Sequence, residues 1–101
     1  MRNMLSGKEK RYLRSLANTV DPVVQVGKAS VNESVLFSLN EALEARELVK
    51  VKVLKNWLDE VKDVAQELAE QSKSELVQVI GRNVVLYRPN PEKPMIELPK
   101  K

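Results

Sequence analysis

The chain has 101 residues, with 17 Lys and Arg against 14 Asp and Glu, a net charge of +3. That length suits one domain with a real core and is too short for two. Cysteine and histidine are both absent, which excludes disulfides, the usual zinc ligands, the commonest general base and the Cys–His nucleophile pair.

The charge is unevenly spread. Residues 1–14 carry Arg2, Lys8, Lys10, Arg11 and Arg14 against Glu9 alone, whereas residues 59–70 carry Asp59, Glu60, Asp63, Glu67 and Glu70 against Lys62 alone. A polarised field is expected, with one basic and one acidic region. The opening Met1–Ser6 lacks the apolar run of a signal peptide, and no later stretch is long and apolar enough to span a bilayer. A soluble cytoplasmic protein with no membrane partner is expected.

In chain order, Ser6-Gly7-Lys8-Glu9 matches a capping box. Tyr12, Leu13, Leu16 and Ala17 then recur at helical spacing, so the first element is a short amphipathic helix with a basic outer side. Asp21-Pro22 stops it. Val23 to Val26 reads as a buried strand. After Gly27-Lys28-Ala29-Ser30, a second helix is marked by Val31, Val35, Leu36, Leu39, Ala42 and Leu43, with Ser30 as the expected N-cap. Leu48 to Val53 alternates as a strand with one buried face, so Lys50 and Lys52 share the other. Trp57, Leu58, Val61, Val64, Ala65, Leu68 and Ala69 mark a third helix, acidic on its outer side. Leu76–Ile80 and Val84–Arg88 are strands joined by a tight hairpin at Gly81-Arg82-Asn83. Met95-Ile96-Glu97-Leu98 is a candidate edge strand in a Pro- and Lys-containing tail, residues 90–101, behind a domain of residues 1–89. The fold class expected is α/β: a small mixed sheet covered by helices.

The strand-to-helix junction at Gly27-Lys28-Ala29-Ser30 is the leading candidate site. A helix start presents unpaired N–H groups and partial positive charge, glycine permits close backbone approach, and Lys28 adds a full charge. KH domains clamp a nucleotide backbone with such a loop. The plainer alternative is that Gly27 permits a turn and Ser30 caps a helix. Glu33, in the first helical turn, counts against a strong anion site, and a P-loop is excluded by the glycine spacing. Tyr12, Phe37, Trp57 and Tyr87 are expected in the core, with no adjacent-strand aromatic pair for base stacking. No carboxylate constellation suggests catalysis, and neither cofactor nor small-molecule substrate is expected.

Several segments together resemble the CRM domain in its stand-alone bacterial YhbY-type form. They are Gly7-Lys8-Glu9-Lys10-Arg11-Tyr12-Leu13-Arg14, Val26-Gly27-Lys28, Glu41-Ala42-Leu43-Glu44-Ala45-Arg46-Glu47-Leu48-Val49-Lys50-Val51, Val77-Gln78-Val79-Ile80-Gly81 and Val84-Val85-Leu86-Tyr87-Arg88-Pro89. The resemblance implies an α-β-α-β-α-β-β domain with a four-stranded mixed sheet, similar to the C-terminal domain of translation initiation factor 3. It also implies RNA binding. Bacterial members are associated with precursors of the large ribosomal subunit, and plant relatives with organellar intron splicing. The family's Gly-x-x-Gly loop falls on Gly27, Lys28, Ala29 and Ser30, and serine stands at its fourth position.

The expected function is therefore non-enzymatic: binding of precursor large-subunit rRNA by a monomer, with ribosomal proteins as further partners. Gly27, Lys28, Ala29 and Ser30 form the expected contact. Lys8, Lys10, Arg11 and Arg14 extend it if the first helix lies beside the loop, and Arg46, Lys50, Lys52 and Arg88 are secondary candidates. The alternative is an adaptor that docks on assembly proteins through the acidic third helix.

Overall fold

The computed structural model of the chain describes residues 7–27, 31–54, 60–90, 92 and 96. In chain order it forms α1 (Gly7–Ala17), β1 (Val24–Val26), α2 (Glu33–Arg46), β2 (Leu48–Val53), α3 (Val61–Ser72), β3 (Glu75–Ile80) and β4 (Asn83–Tyr87). The strands make one sheet in the order β1-β2-β4-β3, with β1 parallel to β2 and the other two pairings antiparallel. This is the expected small mixed sheet with helices packed on it.

Alternation along the strands sorts side chains to two faces. Val24, Val26, Val49, Val51, Val53, Val84 and Leu86 pack against Leu39 and Leu43 of α2 and Val64, Ala65 and Leu68 of α3. Leu48, Val77, Val85 and Tyr87 meet Leu13 and Ala17 of α1 on the opposite face. Each fully buried Val or Leu among them contributes roughly 1.5–3 kcal/mol of burial free energy. A β-bulge between Leu76 and Gln78 lets Val77 join the α1 side.

The sheet has two distinct ends. At one, the Tyr87 end, Leu48 and Glu75 both pair with Tyr87; at the other, the hairpin end, Lys52 and Ile80 both pair with Asn83, beside the Val26–Val53 pair. β2 was expected to bury one face. Val49, Val51 and Val53 form that buried face and Lys50 and Lys52 share the other, where Leu48 is nonetheless buried, Lys50 half-buried and Lys52 exposed. The reason is that α1 covers the Tyr87 end of its face and leaves the hairpin end open.

Other expectations are corrected. The N-cap of α2 is Asn32, not Ser30: Asn32 is extended at φ −140 and its side chain accepts from the Val35 N–H at 2.9 Å. Glu60 is likewise extended, so α3 begins at Val61. Phe37 is 65% exposed and Tyr12 38%, against an expected core position, while Tyr87 is buried. Phe37 lies two residues from Leu39, about 200° around the helix from the buried stripe. Ser6, Ser30, Trp57, Leu58, Met95, Glu97 and Leu98 lie outside the described residues. Ile96 is not in a strand; it packs against the α1-side cluster.

Candidate nucleic-acid interface

The hairpin end gathers three chain segments. The Leu54 N–H donates to the Val26 carbonyl at 2.8 Å, and the Val53 N–H donates to the Arg82 carbonyl at 2.8 Å. Gly27, following Val26, therefore sits at the same edge of the sheet as the end of β2 and the β3–β4 turn. That turn has two residues, and Gly81 takes φ +57, a conformation that favours glycine. It carries Arg82 out at the tip, exposed.

Gly27 behaves differently from Gly81. Its φ is outside the left-handed region, and a Cβ built there meets no atom of the described residues within 4 Å. The fold places no demand for glycine at this position. Lys28, Ala29 and Ser30 lie outside the described residues.

Lys50 and Lys52 lie on the α1-side face, and Lys52 pairs across the sheet with Gln25 on one side and Asn83 on the other. They join Arg82 at the hairpin end. The basic half of α1 does not. Its C-terminal Ala17 and the following Asn18 border a niche with Asn83 and Ile80, while Glu9 near its start acts on Tyr87. At about 1.5 Å per residue, Lys8 lies about 15 Å along the axis from Asn18. Lys8, Lys10 and Arg11 thus belong to the Tyr87 end, and Arg14 lies between.

Arg46 and Arg88 are also at the Tyr87 end, Arg46 closing α2 and Arg88 following β4. The Arg88 guanidinium is already engaged inside the protein. Nη1 donates to Asn40 Oδ1 and to the Ser72 carbonyl, both at 2.8 Å, and Nη2 donates to the Asn40 carbonyl at 3.3 Å. Nearby, the buried Glu47 holds φ 64 and its carboxylate accepts the Asn90 and Ile96 N–H groups at 2.6 Å each. Burial, and after it the charges of Glu47 and Glu9, push the Tyr87 phenol above its ordinary range.

The two outer layers carry opposite charge. α1 and the open sheet face present Lys8, Lys10, Arg11, Arg14, Lys50 and Lys52, while α2 and α3 on the other side expose Glu33, Glu41, Glu44, Asp63, Glu67 and Glu70. Phe37 stands on that acidic layer. Sequence reasoning missed Arg82, because Gly81-Arg82-Asn83 signals only a turn. Its place beside Gly27 depends on β4 pairing with β2, which no local pattern announces.

The CRS1 / YhbY (CRM) domain profile matches residues 5–88. A Bacillus subtilis (strain 168) protein named "Probable RNA-binding protein YqeI" is 51% identical over 96 residues, covering 95% of this chain and 100% of that protein. A Haemophilus influenzae protein named "RNA-binding protein" is 38% identical over 97 residues, covering 96% and 97%. The solution structure of the hypothetical protein SAV1595 from Staphylococcus aureus aligns with a TM-score of 0.81 at 52% identity, covering 95% of this chain and 100% of that one. With a matching profile over most of its length and relatives matched nearly end to end, the chain belongs to the CRS1/YhbY (CRM) domain family.

Proposed function

We propose that this chain is an RNA-binding protein that engages its ligand at the hairpin end of the sheet. The observation that carries the reading is Gly27, where no described residue requires a glycine, at the end of the sheet that also holds Lys52 and Arg82. Lys28 and the N–H groups at the start of α2 meet backbone phosphates, and Arg82, Lys52 and Lys50 continue the contact. Such contacts position the RNA without reading its sequence. The RNA-binding names of the Bacillus and Haemophilus relatives support the class of ligand.

The biological ligand we propose is rRNA in precursors of the large ribosomal subunit, bound in the cytoplasm by a monomer acting as an assembly factor and not as an enzyme. Sedimentation of the tagged protein from lysate tests this. Co-migration with particles near or below the large subunit, lost in high salt or after RNase treatment, is the expected result. Protein that stays at the top of the gradient in mild salt overturns the assembly role.

A second reading, contact with a basic assembly protein, is favoured by the exposure of Phe37 amid the carboxylates of the α2–α3 layer. An apolar anchor of that kind depends on salt much less than several phosphate contacts do.

A further inference from the structure

We propose that the open part of the α1-side sheet face is a recognition site for one unpaired nucleobase, the place where this protein reads RNA sequence. The inference rests on the RNA-binding reading above and adds to it, since the loop and its cations touch only the backbone.

The site is a niche of about 80 Å³ between the C-terminal end of α1 and the β3–β4 hairpin. Its apolar lining is Ala17, Val85 and Ile80. Ile80 is 56% exposed, an unusual condition for an isoleucine in a strand of a covered sheet. Beside these stand the side-chain amides of Asn18, Gln78 and Asn83. None of these three side-chain amides makes a hydrogen bond with another described residue. Lys50 completes the lining.

That combination fits a base edge. A planar heteroaromatic ring gains from an aliphatic surface under it, and its rim of alternating donors and acceptors matches side-chain amides, which offer both. The volume admits one ring edge and excludes a helical stem. In an A-form helix the Watson–Crick edges are paired and the major-groove edges lie too deep and narrow for side chains, so the ligand is a splayed, single-stranded nucleotide. The strand register supplies the route to it. Lys52 lies in the same cross-sheet row as Asn83 and Ile80, and Arg82 follows Gly81 at the tip of the same hairpin. A strand whose phosphates lie on Arg82 and Lys52 passes directly over the niche.

The test compares the full-length protein with a Gln78→Ala/Asn83→Ala double variant and with Lys52→Ala. Each is titrated with 12-nucleotide homopolymers of A, C, G and U at one fixed salt concentration, with a thermal melt as the folding control. The wild type is expected to prefer one base at least tenfold over the weakest. The double variant is expected to lose that preference while holding the weakest homopolymer within about twofold. Lys52→Ala is expected to weaken all four by the same factor. A wild type that binds all four equally, or a double variant that keeps the wild-type ratios, overturns the niche while leaving RNA binding standing. A wild type that binds none of the four, nor a random-sequence pool, overturns both readings together.

Discussion

Arg88 donates from Nη1 to the side-chain oxygen of Asn40 at 2.8 Å, joining the end of β4 to the middle of α2 across 48 residues of sequence. With the further bonds to the Ser72 and Asn40 carbonyls, this arginine ties both helices of the acidic layer to the sheet. Arg88→Ala is expected to lower stability by about 2 kcal/mol, the range for hydrogen bonds from a charged group. Urea unfolding measures it. RNA affinity of the folded variant should stay within twofold of wild type, because the guanidinium lies at the Tyr87 end.

Glu47 gives a second structural test. Its carboxylate serves two N–H groups of the C-terminal segment, so Glu47→Ala leaves both without an acceptor. The expected cost is about 2–4 kcal/mol. Glu47→Gln keeps one acceptor oxygen and should cost less. Equal losses for the two variants would indicate that packing, not hydrogen bonding, holds the segment.

Tyr87 makes stability depend on alkaline pH. Its phenol is raised in the folded state, first by burial and then by Glu47 and Glu9. The folded chain therefore keeps this proton where the unfolded chain loses it. The stabilisation is complete below the ordinary tyrosine pKa of about 10 and is lost as pH rises through the higher folded value. Stability should fall above about pH 10, and Tyr87→Phe should remove this part of the decline. Urea titrations of both proteins between pH 9 and 11 give the comparison; parallel curves would exclude the effect.

The two loop glycines should separate fold from function. Gly81 at φ +57 is expected to cost about 1 kcal/mol when replaced by alanine. Gly27→Ala meets open space and no forbidden φ, so its melting temperature should be unchanged. Its RNA affinity should nonetheless fall, because a Cβ intrudes where the phosphate backbone sits. A Gly27→Ala protein that binds RNA as wild type does would return this loop to an ordinary turn.

Element types were legible because Val49, Val51 and Val53 alternate and Leu39 and Leu43 repeat at one helical turn. Local chemistry was less decisive where two candidates competed. Ser30 and Asn32 are both good caps, and only the 2.9 Å bond from the Val35 N–H distinguishes them. Phe37 reads as core from the apolar periodicity, yet it falls off the stripe that Leu39 and Leu43 define. Arg88 looked like a surface cation, while its partners are supplied by α2 and by the residue that ends α3. The candidate site was partly legible: Gly27 stood out, but Arg82 and the Asn18–Gln78–Asn83 niche exist only because β4 inserts between β2 and β3.

The most direct measurement is equilibrium binding of a labelled single-stranded RNA across a salt series to two charge-reversal variants. One, Lys52→Glu/Arg82→Glu, alters the hairpin end; the other, Lys8→Glu/Arg11→Glu, makes the same charge change at the Tyr87 end. The expected result is at least a tenfold loss with a shallower salt slope for the first, and a loss of no more than about threefold for the second. Equal losses, or a larger loss from the α1 variant, would contradict an interface at the hairpin end.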